Sequence, residues 1–241
     1  MISPFNGKHG RKVLLDTWNI RVGESVAQQE VSVDVVRSMF ENFLKARPAL
    51  GSFDHYFDDG IQSLAALKRD GYGVIHEQLL SSSEGKLGTM WFRVPFKETL
   101  MSMDVNCKSN VKRAWHGFKW ESLSSMLVQG LIGSGPDQLG SNFQTEAGLY
   151  CCSDAYCSMA AGYCNTVPSS NNGLYWSCLW ELAVDRCGLI PCKRKHQWQQ
   201  KISSVCRRAL WVRVVRYEDL PDGEAIRAFW EPLIEVPLRL A

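Results

Sequence analysis

Three tryptophan-bearing runs constrain this chain more than any other feature: TMWFRV at 89–94, LYWSCLWELAV at 174–184 and ALWVRVVRY at 209–217. Each mixes aromatic and β-branched residues, the composition of a strand. The chain carries nine tryptophans, and indoles in such contexts belong in a core. Two further runs, GLYCCS at 148–153 and EPLIEVPLRL at 231–240, also read as strands. A fold built on a sheet follows.

Helical spacing occurs between these runs. Val33, Val36, Met39, Phe40, Phe43 and Leu44 recur on one face after Ser32, and Pro48 marks the stop. A second short helix is expected in IQSLAALKRDG, with Gly71 ending it. A third is expected in ESLSSMLVQGL, where Leu123, Met126, Leu127 and Leu131 share a face and Gly130 caps the end. The small-residue segment SDAYCSMAAGY reads as a fourth. The loop GSGPDQLGSNFQTEA at 133–147 has little periodicity, and a loop of such length inside a domain is usually functional. Strands and helices together give an α+β chain.

At 241 residues, either one large domain or a catalytic domain with an amino-terminal extension is possible. Residues 1–105 are read as a partly helical extension, or as an enlargement of the catalytic domain, and residues 106–241 as the catalytic domain itself. Hydrophobic residues at 45% and charged residues at 22% exclude a disordered chain. A net charge of +2 argues against a phosphate-dominated interface over the whole surface. No apolar run approaches the roughly 20 residues of a membrane-spanning helix, and MISPFNGKHGRK lacks the apolar middle of a secretory signal. Nine cysteines in a chain this long fit reduced thiols. The expectation is a soluble, intracellular protein, cytoplasmic or nuclear.

Read in order, the second half runs strand, His-Gly, helix, long polar loop, Gly-Leu-Tyr strand, small-residue helix ending in Tyr, then further strands. A lone His-Gly at a strand end is most often structural, and a buried Tyr is usually core. Here the order and spacing coincide. The segments WHGFKWESLSSMLVQGLIGSG at 115–135 and GLYCCSDAYCSMAAGYC at 148–164 resemble the catalytic domain of poly(ADP-ribose) polymerases, in the diphtheria-toxin-like branch of ADP-ribosyltransferases. The resemblance implies an ADP-ribosyltransferase fold with a mixed, mostly antiparallel split sheet. It also implies NAD+ as co-substrate, no metal, and an acceptor that is a protein or a nucleic acid.

By that resemblance His116 hydrogen-bonds the adenosine ribose and the Gly117 backbone pairs with the nicotinamide amide. Tyr163 stacks on the nicotinamide and Tyr150 lines the other wall. The residue types suit a flat cationic ring bearing an amide, which calls for one donor and one acceptor in plane and aromatic faces beside it. Glycine leaves the backbone open to the ring. The family's Ser three residues before the stacking Tyr is Ala160 here, and Ser158 is the neighbouring substitute.

A catalytic Glu at the start of a late strand completes the family pattern, where it stabilises charge developing on the ribose. Glu231 opens EPLIEVPLRL and is preferred, with Glu235 four residues on as the alternative. Pro232 after it is permitted at the start of a strand. Two other readings stand beside the transferase. One is a module of the same fold binding NAD+ or ADP-ribose-like ligands without turnover. The other is an NAD+-dependent RNA 2′-phosphotransferase, which would need arginines such as Arg113, Arg186, Arg194 and Arg207 in the cleft. Cys187, Cys192, His196 and Cys206 are spaced poorly for zinc. Lys193, Arg194, Lys195, Arg207 and Arg208 read as a solvated face before a phosphate site. Cys151 and Cys152 read as packing atoms, not nucleophiles.

Overall fold

The tryptophan runs lie in one sheet. The computed structural model describes residues 31–81, 90–97, 110–131, 148–169, 173–192, 196–216 and 219. It begins with helix α1 (Val33–Lys45), where the Ser32 hydroxyl accepts from the Val35 N–H at 3.3 Å and so satisfies one of the free donors of the first turn. Val36, Met39, Phe40, Phe43 and Leu44 form its buried face, the face expected from the spacing. Pro48 opens a 3₁₀ turn after it, and a short helix α2 (Phe53–Tyr56) follows.

Strand β1 (Gln62–Ser63) leads into α3 (Leu64–Leu67), capped by the Ser63 hydroxyl. The helix breaks at Gly71, which takes φ +81°, a left-handed conformation that a side chain would strain. The expected stop is therefore there, and a further helix, α4 (Gly73–Ser81), resumes beyond it. Strands β2 (Met90–Pro95) and β3 (Val111–Gly117) come next, then α5 (Leu123–Gln129), ended by Gly130 at φ +84°. After β4 (Gly148–Cys152), a 3₁₀ turn (Asp154–Tyr156) enters α6 (Cys157–Ala161). The remaining strands are β5 (Val167–Pro168), β6 (Leu174–Asp185), β7 (Ile190–Pro191), β8 (Gln197–Lys201) and β9 (Val205–Arg216).

The strand order is β1-β2-β9-β6-β3-β4-β8-β7, with β5 added to β6. Every pairing among the described residues is antiparallel. With helices on its faces, the sheet makes the chain an α+β protein. Strands β6 and β9 form the centre, and a bulge after Glu181 leaves Arg208 as the extra residue on β9. The Arg208 carbonyl is used all the same, accepting from the Phe96 N–H at 2.9 Å.

The two faces of the sheet are covered differently. On one, α1, α2 and α5 pack an aromatic layer in which Phe40 meets Trp176 edge-on at 5.1 Å and Trp120 meets it at 4.1 Å. On the other, α3, α4 and α6 cover Trp91, Trp115 and Trp211. Residues from before and after position 106 share both layers: Phe40 and Phe92 pack with Trp180 and Leu210, while Leu79 packs with Trp115. Strand β2 is joined to β9 through six paired residues. No helix among the described residues is long and apolar enough to cross a membrane.

Candidate active site

The sheet changes character on one side of β3. Toward β6, β3 pairs through all seven of its residues, from Val111–Asp185 to Gly117–Leu179. Toward β4 it has one bridged pair, Trp115–Cys152. Beyond that bridge β3 follows β6 as far as Gly117, while β4 follows β8 through five pairs. The divergence opens a seam flanked by the His116–Gly117 corner and Tyr150.

The His116 ring occupies this seam. Its Nδ1 lies 2.8 Å from the Tyr150 carbonyl oxygen. A carbonyl only accepts, so Nδ1 carries the proton and donates, and Nε2 is left as an acceptor in the neutral ring. Burial pushes the His116 pKa below the ordinary imidazole value, and the hydrogen bond to Tyr150 works against that shift. The neutral form therefore prevails at pH 7. A ring that positions rather than carries charge can accept a hydrogen bond from a hydroxyl at Nε2.

Gly117 is required by its neighbours. A Cβ there would lie 1.8 Å from the Ala160 carbonyl oxygen and 3.0 Å from Tyr163 Cβ, so α6 and the residues after it sit directly on the glycine. Tyr163 follows α6 with its N–H donating to the Ala160 carbonyl at 3.0 Å, and its side chain is 41% exposed. Tyr150 is half-buried in β4. His116 is thus bonded to Tyr150, and Gly117 lies against Ala160 and Tyr163.

Ser158 is engaged elsewhere: its hydroxyl donates to Gln78 Oε1 of α4 at 2.9 Å. Ala160 is buried, with its carbonyl over Gly117. Glu231 and Glu235 lie outside the described residues, as do Lys193, Arg194 and Lys195.

Four residues that the sequence reading did not single out, or assigned elsewhere, hold this seam. Asp154, two residues past β4, accepts from Arg113 Nε at 3.0 Å, Arg113 Nη2 at 2.9 Å and Trp115 Nε1 at 2.8 Å. Asn165, almost fully buried, accepts from the Trp120 N–H at 2.6 Å and donates to Glu121 at 2.9 Å, which ties the segment after Tyr163 to the turn after Gly117. Gln78 reaches α6 from the amino-terminal half. The only sequence signal for Asp154 and Asn165 is a polar side chain beside a strand or turn, which is too common to mark a role.

The arginines weighed for a phosphate site are differently used. Arg113 is held by Asp154, and Arg207 is buried, donating to the Met126 carbonyl with its guanidinium 4.3 Å from the Phe96 ring. The thiols near the seam are protonated. Burial raises Cys151, Cys157 and Cys164 to about 12 and Cys152 to about 11, so none is a nucleophile at neutral pH. His196 lies flat on Tyr156 at 3.6 Å between ring centroids, with a backbone φ of +67°. No group able to hold a metal ion is formed among the described residues.

No protein-family model matches the chain, and no curated protein matches its sequence. Among solved structures, the chain is similar to the PARP domain of Arabidopsis RADICAL-INDUCED CELL DEATH1, at 15% identity across 77% of this chain and 99% of that one, with a TM-score of 0.30.

Proposed function

We propose that the seam between β3 and β4 binds NAD+ by its nicotinamide end, and that the protein is an ADP-ribosyltransferase of the poly(ADP-ribose) polymerase type. One observation carries the reading: His116 Nδ1 lies 2.8 Å from the Tyr150 carbonyl oxygen, next to a glycine with no room for a Cβ against Ala160 and Tyr163. These are residues the sequence resemblance names: His116 and Gly117 end β3, Tyr150 lies in β4 and Tyr163 follows α6. The fit to NAD+ is chemical. His116 Nε2 accepts from a ribose hydroxyl, the Gly117 backbone offers an N–H and a C=O to the carboxamide, and the exposed Tyr163 ring covers the nicotinamide face.

Bound NAD+ supplies the ADP-ribosyl group and nicotinamide as the leaving group. The protein's part is to orient the dinucleotide and to place a carboxylate where positive charge grows on the ribose, the role proposed for Glu231, with Glu235 as the alternative. The acceptor is a protein or nucleic-acid nucleophile.

A second reading is a module that binds NAD+ or an ADP-ribose-like ligand without turnover. It is favoured by the carboxamide position: Ala160 stands where the family has Ser, and Ser158 is committed to Gln78. Incubation with labelled NAD+ separates the two. The transferase releases nicotinamide and labels an acceptor, and Glu231→Gln, or Glu235→Gln if that is the carboxylate, abolishes both while NAD+ still binds. A wild-type protein that binds without release is the module. Tyr163→Ala weakens NAD+ binding by about 1–3 kcal/mol in either case, and a wild-type chain with no NAD+ affinity ends both readings.

A further inference from the structure

We propose that Asp154 is a positioning residue for this seam: its carboxylate fixes the strand ending in His116–Gly117 against the turn that leads from Tyr150 into α6. The assignment of a ligand to the seam rests on the function proposed above, while the clamp itself rests on geometry alone. The need for a clamp follows from the ladder. Strand β3 is bound to β6 by seven paired residues and to β4 by one. With one backbone rung, side chains must do the rest of fixing register and separation between the two strands, and the His116 bond to the Tyr150 carbonyl does so on one side of the rung.

Asp154 supplies the constraint on the other side of the rung, where Arg113 comes opposite it. Its two oxygens take the Nε and Nη2 of Arg113 at 3.0 and 2.9 Å, a bidentate fork that fixes orientation as well as distance. Its Oδ1 also takes the indole N–H of Trp115 at 2.8 Å. Trp115 is fully buried and is the residue of the single rung, so the carboxylate grips β3 at its one backbone pairing with β4. Arg113 is fixed in turn, donating to the Gly71 carbonyl at 3.0 Å with its guanidinium 4.3 Å from the Tyr72 ring. From Asp154 the chain runs through one 3₁₀ turn into α6, whose Ala160 carbonyl meets Gly117. Moving Asp154 therefore moves both walls of the seam.

The Asp154 contacts are local to the rung. The Asp154 side chain is 36% exposed, so solvent screens its ion pair with Arg113, and the stability it adds comes mainly through the buried Trp115 indole, at the rung itself. What the bonds determine is where Tyr163 and Gly117 stand relative to each other.

Amide hydrogen exchange on the full chain reads the clamp without ligand. In Asp154→Ala, amides of residues 115–117 and 148–152 are expected to exchange about tenfold faster while those of β6 and β9 keep their wild-type rates, the signature of local opening. The Trp115 indole 15N–1H resonance shifts in the same variant. Asp154→Asn, which retains an acceptor for the indole, restores most of that resonance and part of the exchange protection. NAD+ titration is the second arm: Asp154→Ala is expected to lose about tenfold in affinity, roughly 1.4 kcal/mol. Unchanged exchange at the seam overturns the proposal, and so does an equal acceleration across β6 and β9, which would mean general destabilisation. If wild type itself fails to bind NAD+, the functional reading falls, and the exchange arm still decides the clamp.

Discussion

The two sides of β3 are joined to the sheet by different chemistry. Toward β6 the attachment is backbone: seven paired residues, continued by the long pairing of β6 with β9. Toward β4 it is mostly side chain: the His116 bond to the Tyr150 carbonyl and the Asp154 contacts with Arg113 and Trp115, around one bridged pair. A backbone ladder tolerates most substitutions, because every residue carries the same donor and acceptor. A side-chain attachment depends on particular residues, and here it begins where the β3–β4 ladder stops. The difference teaches where to expect each kind of damage. Changes in the centre cost stability, and changes at the seam cost the proposed ligand.

The largest effect belongs to the centre. Glu181 is fully buried and accepts from Arg93 Nε at 2.8 Å, Trp211 Nε1 at 2.8 Å and the Tyr72 hydroxyl at 3.1 Å. Glu181→Ala strands a mostly buried guanidinium and a buried indole N–H, at an expected cost of about 3–5 kcal/mol. Chemical denaturation measures it. A loss below about 1 kcal/mol would mean that water or another group replaces the carboxylate, and the centre would then be less dependent on this network than its geometry suggests.

Gly117→Ala comes next and tests the seam itself. The added Cβ would overlap the Ala160 carbonyl oxygen, a backbone atom that cannot rotate away. Overpacking of this kind costs about 1–3 kcal/mol, less than the loss at Glu181, while NAD+ affinity is expected to fall by more than tenfold because α6 and Tyr163 must shift. Titration of NAD+ alongside denaturation separates the two quantities. Equal affinity in a folded Gly117→Ala protein would remove Tyr163 from the proposed site.

The division between centre and seam also explains what could be read from the sequence. The tryptophan runs were legible as strands because aromatic and β-branched content is a local property, and Trp176, Trp180 and Trp211 are buried in β6 and β9. Helix α1 was legible from its period and its Ser32 cap. Strand β8 was not: QWQQK is too polar to signal a strand, yet its Gln200 is buried and donates to the Asp185 carbonyl at 2.7 Å. Helix α4 was missed behind the Gly71 break. The order and spacing of the His116–Gly117 corner and the two tyrosines are what the proposed site rests on. Asp154 and Gln78 were not legible, since their roles come from residues 39 and 80 positions away in the chain, and no local pattern records such a pairing.

The smallest expected effect is the pH dependence of His116, and its sign follows from the seam. The folded-state pKa is lowered by burial, against the pull of the Tyr150 carbonyl, so between the folded and unfolded values the unfolded chain holds more protons. Stability from keeping this ring neutral is fully present above the unfolded value of about 6.5 and declines as pH falls below it, levelling off once the folded ring is also protonated. One proton limits the slope to about 1.4 kcal/mol per pH unit. Comparing wild type with His116→Gln in denaturation series from pH 7.5 to pH 5 isolates this group from the carboxylates, because only the difference between the curves belongs to the imidazole. The wild-type curve should fall more steeply on the acid side. Parallel curves would place the His116 ring in contact with water in the folded protein, and the fixed tautomer that gives Nε2 its accepting role would lose its physical basis.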